Sequence, residues 1–170
     1  MRIFAIWALL LLTPAVLSQA QEPDESLQQE WRTIQQGADG RERANWWRHL
    51  NPDRLDSFIK AGVDVNISNR SGDTPLHWAA AQNTDVDVLT MLIEAGADVN
   101  TRDRFGWLPL HTAAESNPNP EIIDTLLAAR SKRNKRAYFL LFSPGFLLKH
   151  NDRMSATDKK IALSLLKEEP

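Results

Sequence analysis

Gly72-Asp73-Thr74-Pro75-Leu76-His77-Trp78-Ala79-Ala80 returns thirty-four residues later as Gly106-Trp107-Leu108-Pro109-Leu110-His111-Thr112-Ala113-Ala114. A second phrase keeps the same step, since Ala61-Gly62-Val63-Asp64-Val65-Asn66 becomes Ala95-Gly96-Ala97-Asp98-Val99-Asn100. Self-similarity at this period marks a stacked-repeat architecture, in which each unit covers its apolar face with its neighbours.

Each unit runs from a polar turn through two short helices to a glycine stop. Thr74 is suited to cap a helix through its hydroxyl, and Pro75 takes the first helical position, where its missing N–H costs nothing. Leu76, Ala79 and Ala80 fall on one face, and the small alanines let a neighbouring helix approach closely. After a polar break at Gln82-Asn83-Thr84-Asp85, apolar residues resume at Val88, Leu89, Leu92 and Ile93. Gly96 ends this second helix in the left-handed position that glycine adopts cheaply. The next unit repeats the parts with Leu110, Ala113 and Ala114, a break at Asn117-Pro118-Asn119-Pro120, then Ile122, Ile123, Leu126 and Leu127.

Over residues 55–130 this wording resembles the ankyrin repeat, whose unit is a β-turn and two antiparallel helices. The resemblance implies an all-α solenoid with hairpin tips and a non-enzymatic, protein-binding role. It also implies that His77 and His111 tie adjacent loops by hydrogen bonds. Thr74, Pro75, Leu76, His77, Gly96, Pro109, Leu110 and His111 are thereby assigned to the scaffold. Three departures stand out: an extra residue in the break between helices, Leu108 at the capping threonine, and Arg130 at the stop glycine. The loop after Arg130 is expected to differ, and the third unit to approach a terminal cap.

The array extends both ways. Phe58-Ile59-Lys60-Ala61-Gly62 is the second half of an earlier unit, whose first half around Ala44-Asn45-Trp46-Trp47 has lost the repeat wording. Ile161, Ala162, Leu165 and Leu166 space like a second helix behind a cap at Ser155 or Thr157, with Ser143-Pro144 as a drifted Thr-Pro ahead of its partner. About four units are expected, near 42–68, 69–102, 103–136 and 137–170, the outer two degenerate. A helical extension is expected at 21–41.

Residues 1–20 read as a signal peptide: Arg2, an apolar run from Ile3 to Leu17, then Ser18-Gln19-Ala20. A membrane anchor is the rival, but fifteen residues interrupted by Pro14 are short for a span of about twenty. The chain has no cysteine, which leaves neither a disulfide framework nor thiol chemistry. The periplasm of a Gram-negative bacterium is the expected address, with release into the medium as the alternative. A formal charge of −2 does not call for nucleic acid. The charge is uneven, because residues 21–129 hold 9 basic against 18 acidic side chains and residues 130–170 hold 10 against 4.

Nothing in the sequence gathers into a catalytic or metal centre. His49, His77, His111 and His150 lack partners at ligand or triad spacing, and no cofactor motif is present. Asp64-Val65-Asn66 and Asp98-Val99-Asn100 read as turn formers, not calcium loops.

By analogy with a stacked ankyrin array, binding residues lie on the hairpin tips and the concave side of the first helices. That gives Arg70, Ser71, Asp73, Trp78, Ala81 and Gln82 in the second unit, and Arg104, Phe105, Trp107, Thr112, Glu115 and Ser116 in the third. Arginines and aromatics are favoured anchors at interfaces. Two rings on the tip at Phe105 and Trp107 either meet a partner or fold back over the next loop. Of Trp46 and Trp47, one is expected in the terminal core and the other nearer the surface.

Arg130-Ser131-Lys132-Arg133-Asn134-Lys135-Arg136 is either a solvated linker, or a weak contact with an anionic membrane surface, or a contact with an acidic partner. The expected function is a monomeric, exported module that binds a protein partner. An immunity or inhibitor role toward a secreted enzyme is one specific form of it.

Overall fold

Among the described residues, proline at the first helical position behind a polar residue starts four helices, at Pro52, Pro75, Pro120 and Pro144. The computed structural model describes residues 24–129 and 143–167. Among these, the helices are α1 (Glu25–Arg32), α2 (Gly40–His49), α3 (Pro52–Lys60), α4 (Pro75–Gln82), α5 (Val86–Glu94), α6 (Pro109–Ser116), α7 (Pro120–Ala128), α8 (Pro144–Lys149) and α9 (Ala156–Leu165), with no strand. A π-helical turn, Thr33–Gly37, follows α1. Asn51, Asp85, Asn119 and Ser155 cap α3, α5, α7 and α9 through side-chain oxygens that accept helix amides. Asp24 and Asp39 do the same for α1 and α2.

The helices stack in two rows. First helices α2, α4, α6 and α8 touch in sequence, and second helices α1, α3, α5, α7 and α9 form the other row. Alanine explains the tight approach in the first row, since Ala79, Ala80, Ala113 and Ala114 are fully buried between neighbours. Leu55, Phe58, Leu76, Leu89, Leu92, Leu110, Ile122, Ile123 and Leu126 fill the seam between rows at essentially zero exposure. Each such side chain contributes about 1.5–3 kcal/mol of burial, so the stack is held by a continuous apolar seam.

The N-terminal extension is helical over Glu25–Arg32 and Thr33–Gly37. Its last two residues, Gly40 and Arg41, already belong to the first unit, because Asp39 caps α2 and that helix starts at Gly40. Its first part takes the place of a missing second helix, with α1 packed on α3. Trp31 is 1% exposed there, its Nε1 donates to the Asp64 carbonyl at 3.0 Å, and Gln28 Nε2 donates to the Ala61 carbonyl at 2.7 Å. Trp31 stands edge-on to Trp46 and Trp47 and 5.3 Å from Phe58. This cluster closes the end of the seam; Trp47 is buried and Trp46 half-buried.

At the other end Ser143 does cap α8, its hydroxyl accepting the Phe146 amide at 3.3 Å, and α8 and α9 complete a fourth unit. Residues 1–20, Arg130 and the basic run 130–136 lie outside the described residues.

Candidate functional site

The tips of the second and third units are built from local bonds. Asn69 Oδ1 accepts the Ser71 amide at 2.8 Å and the Asp73 amide at 3.0 Å. One step on, Asp103 Oδ1 accepts the Phe105 amide at 2.8 Å and the Trp107 amide at 2.7 Å. Side-chain oxygens that hold amides two and four residues ahead fix a tight turn. Gly72 and Gly106 close these turns at φ 84° and 79°. The Arg104 amide donates to the Ser71 carbonyl at 2.9 Å, joining one tip to the next.

Behind the tips the two histidines are scaffold. His77 Nδ1 accepts the Thr74 amide at 3.2 Å, and Nε2 faces the Trp107 carbonyl at 3.1 Å. An amide only donates and a carbonyl only accepts, so the ring is neutral with its proton on Nε2. Burial holds its pKa below the ordinary histidine value, against smaller opposing effects from the Trp107 carbonyl, Asp73 and Asp103. The Thr74 hydroxyl lies 2.9 Å from the same Nδ1, so threonine and histidine act as one capping unit. His111 Nδ1 accepts the Leu108 amide at 3.0 Å in the same way. Leu108 has no hydroxyl to offer and is instead fully buried, a trade of polar capping for apolar packing.

A third set of residues was hidden inside the polar breaks. Asn83 Nδ2 donates to the Trp47 and Leu50 carbonyls at 2.8 Å each. Asn117 Nδ2 donates to the Ala80 carbonyl at 2.8 Å and the Asn83 carbonyl at 2.7 Å, and Asn151 Nδ2 to the Asn117 carbonyl at 2.8 Å. The last carbonyls of a helix have no intrahelical partner, and each asparagine supplies one to the unit before it. All three are at most 2% exposed. Their recurrence at 83, 117 and 151, in step with the repeat, was the signal that the eye passes over in a run of polar residues.

Asp64 and Asp98 close turns by accepting the Asn66 and Asn100 amides, and Asn66 bonds across to Gly96 and Asp98 of the next unit. A family model described as ankyrin repeats (3 copies) matches residues 47–137, more than half of the chain. The chain belongs to the ankyrin repeat family. No curated protein matches it. Ankyrin repeats make it a protein–protein interaction module, of a family that is generally non-enzymatic. Among the described residues no group of three or more His, Cys, Asp or Glu could hold a metal ion, and no helix is long and apolar enough to cross a membrane.

The ankyrin tips and first helices sort the binding candidates. Arg70, Ser71 and Arg104 are exposed, and Phe105 keeps 54% of its surface in solvent. Trp107 is half-buried against the core, 6.2 Å from the His111 ring, so of the two tip rings this one folds back. Asp73 gives its carboxylate to Asn69 Nδ2 at 2.9 Å and is largely a turn residue. Trp78 is half-buried on α4, with the Arg43 guanidinium 5.0 Å from its ring. Thr112 is partly buried on α6, its hydroxyl donating to the His77 and Pro109 carbonyls. Glu115 is exposed near the end of α6, with partial desolvation raising its carboxyl pKa against a Ser116 hydrogen bond. Ala81, Gln82 and Ser116 are partly exposed, and Gln82 Oε1 accepts from Arg48 at 2.9 Å. Asp103 has its pKa raised by burial first and Asp73 second, opposed by the two amides it accepts.

Proposed function

We propose that this ankyrin protein works in the bacterial envelope, where the tips and first-helix row of its second and third units hold a protein partner. The observation that carries the reading is the exposure of Phe105 beside Arg104 and Arg70, on turns already fixed by Asn69 and Asp103. A large ring on a pre-ordered turn adds contact area with little ordering cost on binding. The apolar segment Ile3–Leu17 followed by Ser18-Gln19-Ala20 supports export, with the periplasm as the address and secretion as the alternative.

The basic run 130–136, five cations in seven residues, supports a second reading in which the protein also rests on an anionic membrane surface. One pair of variants separates the two. Arg104→Ala with Phe105→Ala should abolish partner capture while Arg133→Glu with Arg136→Glu leaves it intact; the reverse outcome moves the site to the basic run. A salt wash of the envelope fraction should release the protein only if charge holds it there.

A further inference from the structure

Arg43 is a buried charge without a close counter-ion. It is 6% exposed, its Nε donates to the Ile34 carbonyl at 2.7 Å and its Nη2 to the Ala38 carbonyl at 2.6 Å. Ile34 lies within the π-helical turn and Ala38 just past its end. The two bonds use two of five N–H donors and leave the charge uncompensated. Among the described residues no carboxylate lies within ion-pair distance of it. Burial lowers its pKa, and Asp73, Asp39 and Glu42 oppose that only from further off. A cation held this way is costly unless something anionic reaches it.

Something can reach it. A cleft of about 300 Å³ opens beside Arg43 between the end of the N-terminal segment and the second unit's tip, walled by Gln36, Asn69, Arg70 and Ser71. No acidic residue lines it. Arg70 is exposed there and has no ion pair among the described residues. Trp78, whose ring Arg43 covers, has a buried indole N–H with no acceptor among the described residues.

We propose that this cleft takes a carboxylate side chain from an acidic segment of the protein partner, held between the guanidinium groups of Arg43 and Arg70. Arginine is suited to the task because its planar fork meets both oxygens of a carboxylate. The inference rests on the protein-binding reading above and adds the chemistry of what is bound. Arg43 is locked in place by two carbonyls and Arg70 stands at the rim, so the inner charge is preorganised and the outer one steers.

The test is a calorimetric titration of the full chain with an end-blocked peptide of alternating Asp and Glu, beside its Asn and Gln counterpart. The acidic peptide should bind and the neutral one should not. Arg70→Glu should weaken binding at least tenfold with an unchanged thermal midpoint, since that side chain is exposed. The same charge reversal at Lys160, on α9, should change affinity less than twofold. Equal binding of the neutral peptide, an unaffected Arg70→Glu, an equal loss with Lys160→Glu, or equally tight binding of inorganic phosphate would each overturn the proposal. If Arg70→Glu is silent while Arg104→Ala with Phe105→Ala still abolishes partner capture, the cleft assignment fails and the binding reading stands. If both leave capture untouched, the binding reading itself fails.

Discussion

At the scale of the residue, buried polar side chains do the joining between units. The Asn117 side chain makes three bonds, two to carbonyls of the preceding unit and one from the Asn119 amide at 2.9 Å. Asn117→Ala orphans the two carbonyls in a buried site, where each unsatisfied group costs about 1–3 kcal/mol. Urea unfolding should therefore show a loss of about 3 kcal/mol, whereas Asn119→Ala, nearer the surface, should lose about 1 kcal/mol by removing a cap. His77 gives a pH signature. Its folded pKa lies below the unfolded value of about 6.5, so below that pH the unfolded chain binds more protons than the folded one. The His77 contribution is fully present above about pH 6.5 and is lost progressively as pH falls toward the depressed folded value. Thermal midpoints measured from pH 7.5 down to 5 should fall more steeply for the wild type than for His77→Gln. The role of histidine was legible because the repeat wording contains it. The asparagine column was not, because Asn in a polar break reads equally well as a solvated turn.

At the scale of the element, the glycines at turns differ in what surrounds them. Gly96 stands at φ 94° with nothing within 4 Å of an added Cβ, while at Gly72 (φ 84°) that atom would lie 3.0 Å from Asp103 Cα of the next tip. Gly96→Ala should cost about 1 kcal/mol from backbone strain alone. Gly72→Ala should cost more, since tip-to-tip packing must also give way, and the order of the two unfolding midpoints checks it. The two clear units, their helix starts and the fourth unit's Ser143 cap followed from Pro, Leu and Ala spacing. The N-terminal cap did not, since α1 carries no repeat wording and its place is decided by Trp31 filling space against Trp47 and Phe58. Trp31→Ala should thus destabilise the chain by about 3–5 kcal/mol, as large-to-small core changes do, with the loss read from urea midpoints.

At the scale of the whole molecule, two stacked rows display a preformed surface whose tips are tied to each other by Arg104 and Ser71. First helices α2 and α8 bring Arg41, Arg43, Arg48 and Lys149 against Glu42 and Glu115 on the whole row, while the second-helix row is richer in acids, with Asp53, Asp56, Asp87, Glu94, Glu121 and Asp124. This division of charge favours an acidic partner on the first-helix side. One scaffold serves many targets, and its exposed positions choose among them. The most direct test is amide hydrogen exchange on the full chain, alone and saturated with the protein partner that co-purifies with it. Slowed exchange at 70–73, 78–82, 104–107 and 112–116, with α5 and α7 unchanged, is the expected result. Slowed exchange confined to the second-helix row, or none at the tips, would contradict a binding surface made of tips and first helices.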